Sequence, residues 1–277
     1  MPNDKQPNRA TRHSKLEKYE DNWQTSMGGW FPGEDVFLRG KSVLTELNNK
    51  RWMEYLLFAN TGKDSPEIAR FYEAMWLISS SFPDPRIWNN RISALAGTAR
   101  STGALAATGT LAVTEATVYG LKPIKGAADF FKRAQERLDS GEELSSIVQD
   151  ELKRFRSVYG YGRPLVKDDE RIKPMMEYAR SIGFGDGKYI RLAFEVERYF
   201  GTTRLKYRMN IAAVCAALMA DAGMTPTEFY HMATLAFTAG AMPCYIDAVE
   251  KDEGCFFPLQ TSRIEYKGTH GVKNWRS

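Results

Sequence analysis

Apolar residues recur at spacings of three and four through almost the whole chain, and this rhythm confines it to a helical fold. Arg51 to Ala59 and Ser65 to Ile78 show it best, with aromatic and aliphatic side chains on one stripe, as a helix with a single buried face requires. Ser65 before Pro66 and Glu67 is a helix start, because a hydroxyl caps an orphan amide and proline tolerates the first turn. A second start follows Pro83-Asp84-Pro85. Further helices are expected at Gly126 to Leu138, Glu142 to Ser157, Arg171 to Ile182, Lys188 to Phe200, Arg208 to Ala222, Pro226 to Ala239 and Ala241 to Lys251. Only Val36-Phe37-Leu38, before Arg39-Gly40, reads as a short strand. The fold class is therefore all-α. Between Ile87 and Val118 the chain alternates Ala, Gly, Ser and Thr, which suits close packing within the chain, a dimer contact between equivalent helices, or both.

The 277 residues, 43% hydrophobic and 12% aromatic, suffice for a full core. Lys and Arg exceed Asp and Glu only enough to leave a net charge of +4, far from the clustered excess of a nucleic-acid binder but suited to anionic small ligands. Cys215, Cys244 and Cys255 form no CxxC or Cys/His metal spacing, so three reduced thiols, a cytoplasmic location and no metal are expected. Residues 1–22 are dense in charged residues, Asn and Pro and read as a flexible tail without the apolar core of a secretory signal. The weakly polar run Ala94 to Gly120 is interrupted by Arg100 and Glu115, which argues against a membrane span.

Two stretches carry chemistry: Pro123-Ile124-Lys125-Gly126-Ala127-Ala128-Asp129, and Gly160-Tyr161-Gly162-Arg163-Pro164-Leu165-Val166-Lys167-Asp168-Asp169-Glu170-Arg171. With Met209-Asn210-Ile211-Ala212 they resemble three active-site motifs of the citrate synthase superfamily, most closely its short citryl-CoA lyases, which run roughly P-L-H-G-G-A, G-F-G-H-P-L-H-K-x-D-P-R and I-N-V-D-G-A. Trp23-Gln24-Thr25-Ser26 with Leu38-Arg39-Gly40, Ala99-Arg100-Ser101-Thr102-Gly103, and Asn210 to Gly223 extend the likeness in the same order. Where that family places two histidines and an aspartate, this chain has Lys125, Arg163 and Ala212. A further family histidine falls near Pro85 and is absent, as is a small-domain arginine near Gly240.

The resemblance implies a two-domain helical fold, with a large domain from residues 23–125 and 241–277 and a small domain, 126–240, inserted between them. It implies a homodimer or larger oligomer, a site lined from both domains, and coenzyme A as the thioester carrier. In its terms Lys125 and Arg163 stand at catalytic positions, Arg171 and Arg263 at substrate-binding positions, and Lys167, Gly160 and Gly162 at positions that face coenzyme A.

Making or breaking a carbon-carbon bond beside a thioester calls for a carboxylate to move a proton and for donors on the developing oxyanions. Ala212 removes the carboxylate. A guanidinium at Arg163 still donates but cannot act as a base near neutral pH. Lys125, expected at the amino end of a helix, reads as a base or Schiff-base amine, as an anion holder, or as a surface lysine. Arg171 suits bidentate carboxylate recognition or a helix-start ion pair with Asp168 or Asp169. Asp129 and Asp169 are candidate replacement bases, or a first-turn anion and a cap. Tyr119 and Tyr161 are candidate donors or packing residues, and His231 reads as packed or exposed. Two functions follow: an acyl-CoA carbon-carbon lyase or acyltransferase with altered chemistry on an anionic carboxylate substrate, or a non-catalytic binder of acyl-CoA or an organic acid, serving as sensor or regulatory partner.

Overall fold

Helices dominate the architecture because most segments carry one apolar stripe and little strand alternation. The computed structural model describes residues 17, 19–21, 23–79, 82–162, 168–256, 259–265 and 267–268, so the expected tail falls almost wholly outside the described residues. The chain divides into two compact units, one ending at Pro66 and one beginning at Glu67.

In the first unit, strands β1 (Gly28–Phe31), β2 (Asp35–Leu38) and β3 (Lys41–Ser42) form an antiparallel sheet in that order, with Gly28 opposite Leu38 and Phe37 opposite Ser42. The expected single strand is thus the centre of three. β1 was not legible because Gly28-Gly29 has poor strand propensity and its side chains are all exposed. Helix α1 (Trp52–Thr61) follows and ends at Gly62, whose φ of +77° gives the left-handed cap that glycine accepts most readily. Asp64 holds Lys50 at 2.5 Å and Lys41 at 3.1 Å, which draws its carboxyl below the usual range.

The second unit takes up most of α2 (Pro66–Ser79) and continues through α3 (Trp88–Thr98), α4 (Gly103–Thr114), α5 (Leu121–Asp139), α6 (Leu144–Phe155), α7 (Ile172–Ser181), α8 (Lys188–Thr202), α9 (Ile211–Asp221), α10 (Pro226–Ala233) and α11 (Ala241–Val249). Helix α3 packs against α4 and α11, while α5 and α9 pack on each other and on α8 and α10. Close packing explains the run of small residues: a Cβ at Gly97 would lie 2.6 Å from the Tyr245 carbonyl oxygen on α11. That run divides at Arg100, where φ is +57°, and Thr102 then caps α4 by accepting from the Leu105 amide. Among the described residues one stretch, Pro226–Val249, is long and apolar enough to cross a membrane. It is divided by a 3-10 turn at Thr234–Thr238, and its buried side chains pack on α3, α4 and α5.

Helix α5 begins at Leu121, not at Gly126. Gly120 supplies the break: its φ is +108°, and a Cβ there would meet the Thr114 carbonyl oxygen at 2.1 Å. Pro123 then falls in the first turn, where no intrahelical donor is needed.

Candidate functional site

The turn Gly160-Tyr161-Gly162 is clasped to the amino end of α9. Both glycines have positive φ, +93° and +87°. A Cβ at Gly160 would stand 2.6 Å from the Ala213 Cβ, so the turn reaches the helix only because nothing projects from that position. The Gly160 carbonyl accepts from the Asn210 amide at 2.9 Å, and the Gly162 amide donates to the Arg208 carbonyl at 2.7 Å. Asn210 completes the clasp. Its Nδ2 donates to the Gly162 carbonyl at 3.1 Å while its Oδ1 caps α9 by accepting from the Ala212 amide at 3.0 Å. Tyr161 anchors the turn from below: its hydroxyl donates to the Ala193 carbonyl at 2.7 Å, its ring lies against Phe131 and Phe200, and burial pushes its hydroxyl pKa far up. It is a packing residue.

Asp169 and Arg171 form the second feature. The guanidinium grips the carboxylate in a fork, Nε to Oδ1 and Nη2 to Oδ2, both 2.8 Å. The same carboxylate accepts from the Arg171 amide at 3.2 Å and the Ile211 amide at 2.9 Å. Burial alone would raise this carboxyl; the Arg171 bonds and charge outweigh that and hold it below its ordinary value. Asp169 is therefore a tether between the approach to α7 and the start of α9, not a proton carrier. Arg171 keeps one further donor, Nη1, 3.5 Å from the Ser79 carbonyl, and it feels the nearby groups of Cys215 and Tyr119. Cys215 is buried on α9, and burial pushes its thiol up to about 12.

Lys125 lies one turn inside α5 with an exposed side chain, its Nζ 5.4 Å from the centre of the Tyr230 ring. The Tyr230 hydroxyl donates to Glu115 at 2.8 Å. Leu121, Ala233 and Phe237 form a small apolar cluster against which Tyr119, Ile124 and Tyr230 pack. Tyr119 also stacks edge-on with Trp88 and Phe237. Lys125 thus borders this aromatic cluster through Tyr230.

Arg163 and Lys167 lie outside the described residues. Their segment starts at the clasped Gly162 and ends at Asp168, whose carboxylate meets Arg208 at 3.1 Å. Arg263 has an exposed side chain on a 3-10 turn, Thr261–Arg263; among the described residues no hydrogen bond or ion pair links it to Lys125 or Arg171. Asp129 is exposed on α5, and His231 is exposed on α10 beside the Tyr230 ring. No group of three His, Cys, Asp or Glu side chains among the described residues is placed to hold a metal.

Two supporting roles were not assigned from the sequence, although Asn210 itself stands in one of the three motifs. Asn210 had a local signal, a preferred capping residue directly before an apolar run. Glu197, which accepts from the Met209 amide at 2.9 Å and lies 3.7 Å from the Arg208 guanidinium, had none, because it arrives from α8.

No protein-family model matches this chain, and no curated protein matches it. Solved structures do. Citryl-CoA lyase from Hydrogenobacter thermophilus aligns over 91% of this chain and 97% of its own, at 18% identity and a TM-score of 0.77. The chain has a citrate synthase-type fold. An ATP citrate lyase from Methanosaeta concilii, a D541A mutant in complex with (3S)-citryl-CoA, aligns over 98% of this chain but only 45% of its own, at 18% identity and a TM-score of 0.74. Citrate synthase from Thermoplasma acidophilum, in a ternary complex with carboxymethyl coenzyme A and oxaloacetate, aligns over 81% of this chain and 60% of its own, at 14% identity and 0.62. The all-α reading and the resemblance drawn from the motifs agree with this fold.

Proposed function

We propose that this citrate synthase-type protein binds a coenzyme A thioester together with a small carboxylate at the site built from the Gly160–Gly162 turn, the start of α9 and Arg171, and that it does so without the carbon-carbon chemistry of an aspartate-bearing site. The observation that carries this reading is the amino end of α9. At Ala212 only a backbone amide is offered, and Asn210 already takes it. The adjacent carboxylate, Asp169, is held by two guanidinium nitrogens and two amides. A carboxylate so held is a poor base, since each of those bonds favours its charged form. The two-glycine turn fixes the start of α9 through its bonds to Arg208 and Asn210, and beyond its fork on Asp169 the Arg171 guanidinium keeps Nη1, 3.5 Å from the Ser79 carbonyl, as its one further donor. Coenzyme A, as acyl-CoA, would lie along the turn; Lys167 and Arg163, in the segment directly following it, are the proposed phosphate and carboxylate partners. The division into a large domain, 23–125 with 241–277, and a small domain, 126–240, is part of this proposal, as is a role for Arg263 at the site of a second copy.

A second reading, a lyase or acyltransferase with altered chemistry, is favoured by the position of Lys125, whose amine stands over the Tyr230 ring at the edge of the Leu121, Ala233 and Phe237 cluster. One experiment separates the two. The purified protein is incubated with citryl-CoA, and separately with acetyl-CoA and oxaloacetate, while free coenzyme A and the melting temperature are followed. Ligand-dependent stabilisation without release of coenzyme A supports the binder; turnover contradicts it, and borohydride trapping of a Lys125 adduct with oxaloacetate would then establish the altered chemistry.

A further inference from the structure

Away from this site, α3, α11 and the turn after α11 enclose a cavity of about 420 Å³ lined by two thiols, Cys244 and Cys255. The two differ in the way a thiol-exchange pair requires. Cys255 is exposed on the turn, while Cys244 is buried on α11. Both sit over one face of α3. Cys244 packs with Ala94 and Ala248, and the Cys255 Sγ lies 3.9 Å from the Thr98 hydroxyl. Ala94 and Thr98 are four residues apart, so their side chains are neighbours about 6 Å apart on the helix surface. Phe256, the residue next to Cys255, packs directly on the Ala94, Cys244 and Ala248 cluster, which fixes the turn against the buried thiol. Lys251 also lines the cavity, where its amine is paired with Asp247. Asp247, Pro83 and Pro85 complete the polar and apolar rim.

We propose that Cys255 and Cys244 form a thiol–disulfide exchange site for low-molecular-weight disulfides entering this cavity. Cys255 is the entry thiol by exposure. Its sulfur attacks one sulfur of the small disulfide, forming a mixed disulfide and releasing one equivalent of small thiol. Cys244, which burial keeps protonated at rest, loses its proton and attacks the Cys255 sulfur, forming the intramolecular bond and releasing the second thiol. The protein loses two hydrogens and the small disulfide is reduced to two thiols. Closure needs the two Cα atoms within about 7 Å. The turn at residues 252–256 is held by the Gly254 to Thr98 bond at 3.3 Å, the Cys255 to Asp252 bond at 3.2 Å, the Arg100–Glu253 pair at 3.4 Å and Phe256 packing, and closure proceeds by rearrangement of these contacts.

The test treats the full-length protein with oxidised glutathione and reads intact mass and tryptic peptides. The wild type is expected to lose two hydrogens, retain no glutathione and yield a peptide joining Cys244 to Cys255. The Cys255→Ser variant, altered on the exposed side, is expected to show neither change. Cys244→Ser is expected to stop at a single glutathione on Cys255. A wild type that keeps its glutathione, fails to react, or joins either cysteine to Cys215 overturns the proposal, as does closure in the Cys255→Ser protein.

Discussion

At the scale of single residues, the Asp169–Arg171 fork does most to hold the candidate site together. Removing the charge at Asp169 strands a half-buried guanidinium and loosens the Ile211 amide, so Asp169→Asn is expected to cost about 3 kcal/mol, the low end for breaking one partner of a buried pair. The urea midpoint reads this directly. The pH dependence has a definite sign. A carboxyl held below its ordinary value contributes stability above the unfolded value, about 4, and loses it as pH falls through the folded value. Acid unfolding of the wild type should therefore steepen below about pH 4, and the Asp169→Asn variant should show a flatter curve there. Gly160 is the other critical residue. Gly160→Ala combines a φ of +93° with a Cβ 2.6 Å from that of Ala213 and 2.9 Å from its Cα, and is expected to cost about 2 kcal/mol or more. Gly141→Ala, with φ +90° but open space around it, should cost only about 1 kcal/mol.

At the scale of elements, apolar spacing made α2, α8 and α11 legible nearly to their ends, since each carries its own stripe, whereas the helix expected from Pro226 to Ala239 gives way to a 3-10 turn after Ala233. The start of α5 was not legible. The helix was expected only from Gly126, yet in three dimensions Gly120 turns the chain tightly at Thr114 and Pro123 sits in the first turn, where a helix tolerates it. This moved Lys125 from a helix end to a position one turn inside, on the Tyr230 ring, and removed the dipole argument for a neutral amine there. Gly201, near the end of α8, has ordinary helical backbone and open space where a methyl group would stand, so Gly201→Ala should stabilise the protein by about 0.5 kcal/mol, visible as a small rise in melting temperature. Helix α4 holds a partner prediction. From Gly103 to Thr114 it has no charged residue, and Leu105 and Val113 remain exposed, 63% and 37%. Such a face suits a second copy of this chain. Sedimentation should report a dimer in the wild type and a dissociation constant at least roughly tenfold weaker in Leu105→Asp, one charge buried at an apolar contact being worth more than about 1.4 kcal/mol.

At the scale of the whole molecule, the motifs led to the right fold because glycines and capping residues report backbone geometry, which the chain has kept. Gly160, Gly162 and Asn210 meet as the motif order implied. The support that holds the start of α9 from outside was less legible, since Glu197 approaches from α8 and no local spacing announces it. The candidate site consists of a turn, a capped helix and a guanidinium paired with Asp169; what position 212 lacks is a group that moves protons. The decisive measurement is a calorimetric titration of citryl-CoA into the full-length protein, with the ligand recovered afterwards and weighed by mass spectrometry. Saturable heat with citryl-CoA recovered unchanged is the predicted result. Recovery of citrate and free coenzyme A, or no heat at all, would contradict a thioester-binding site without carbon-carbon chemistry.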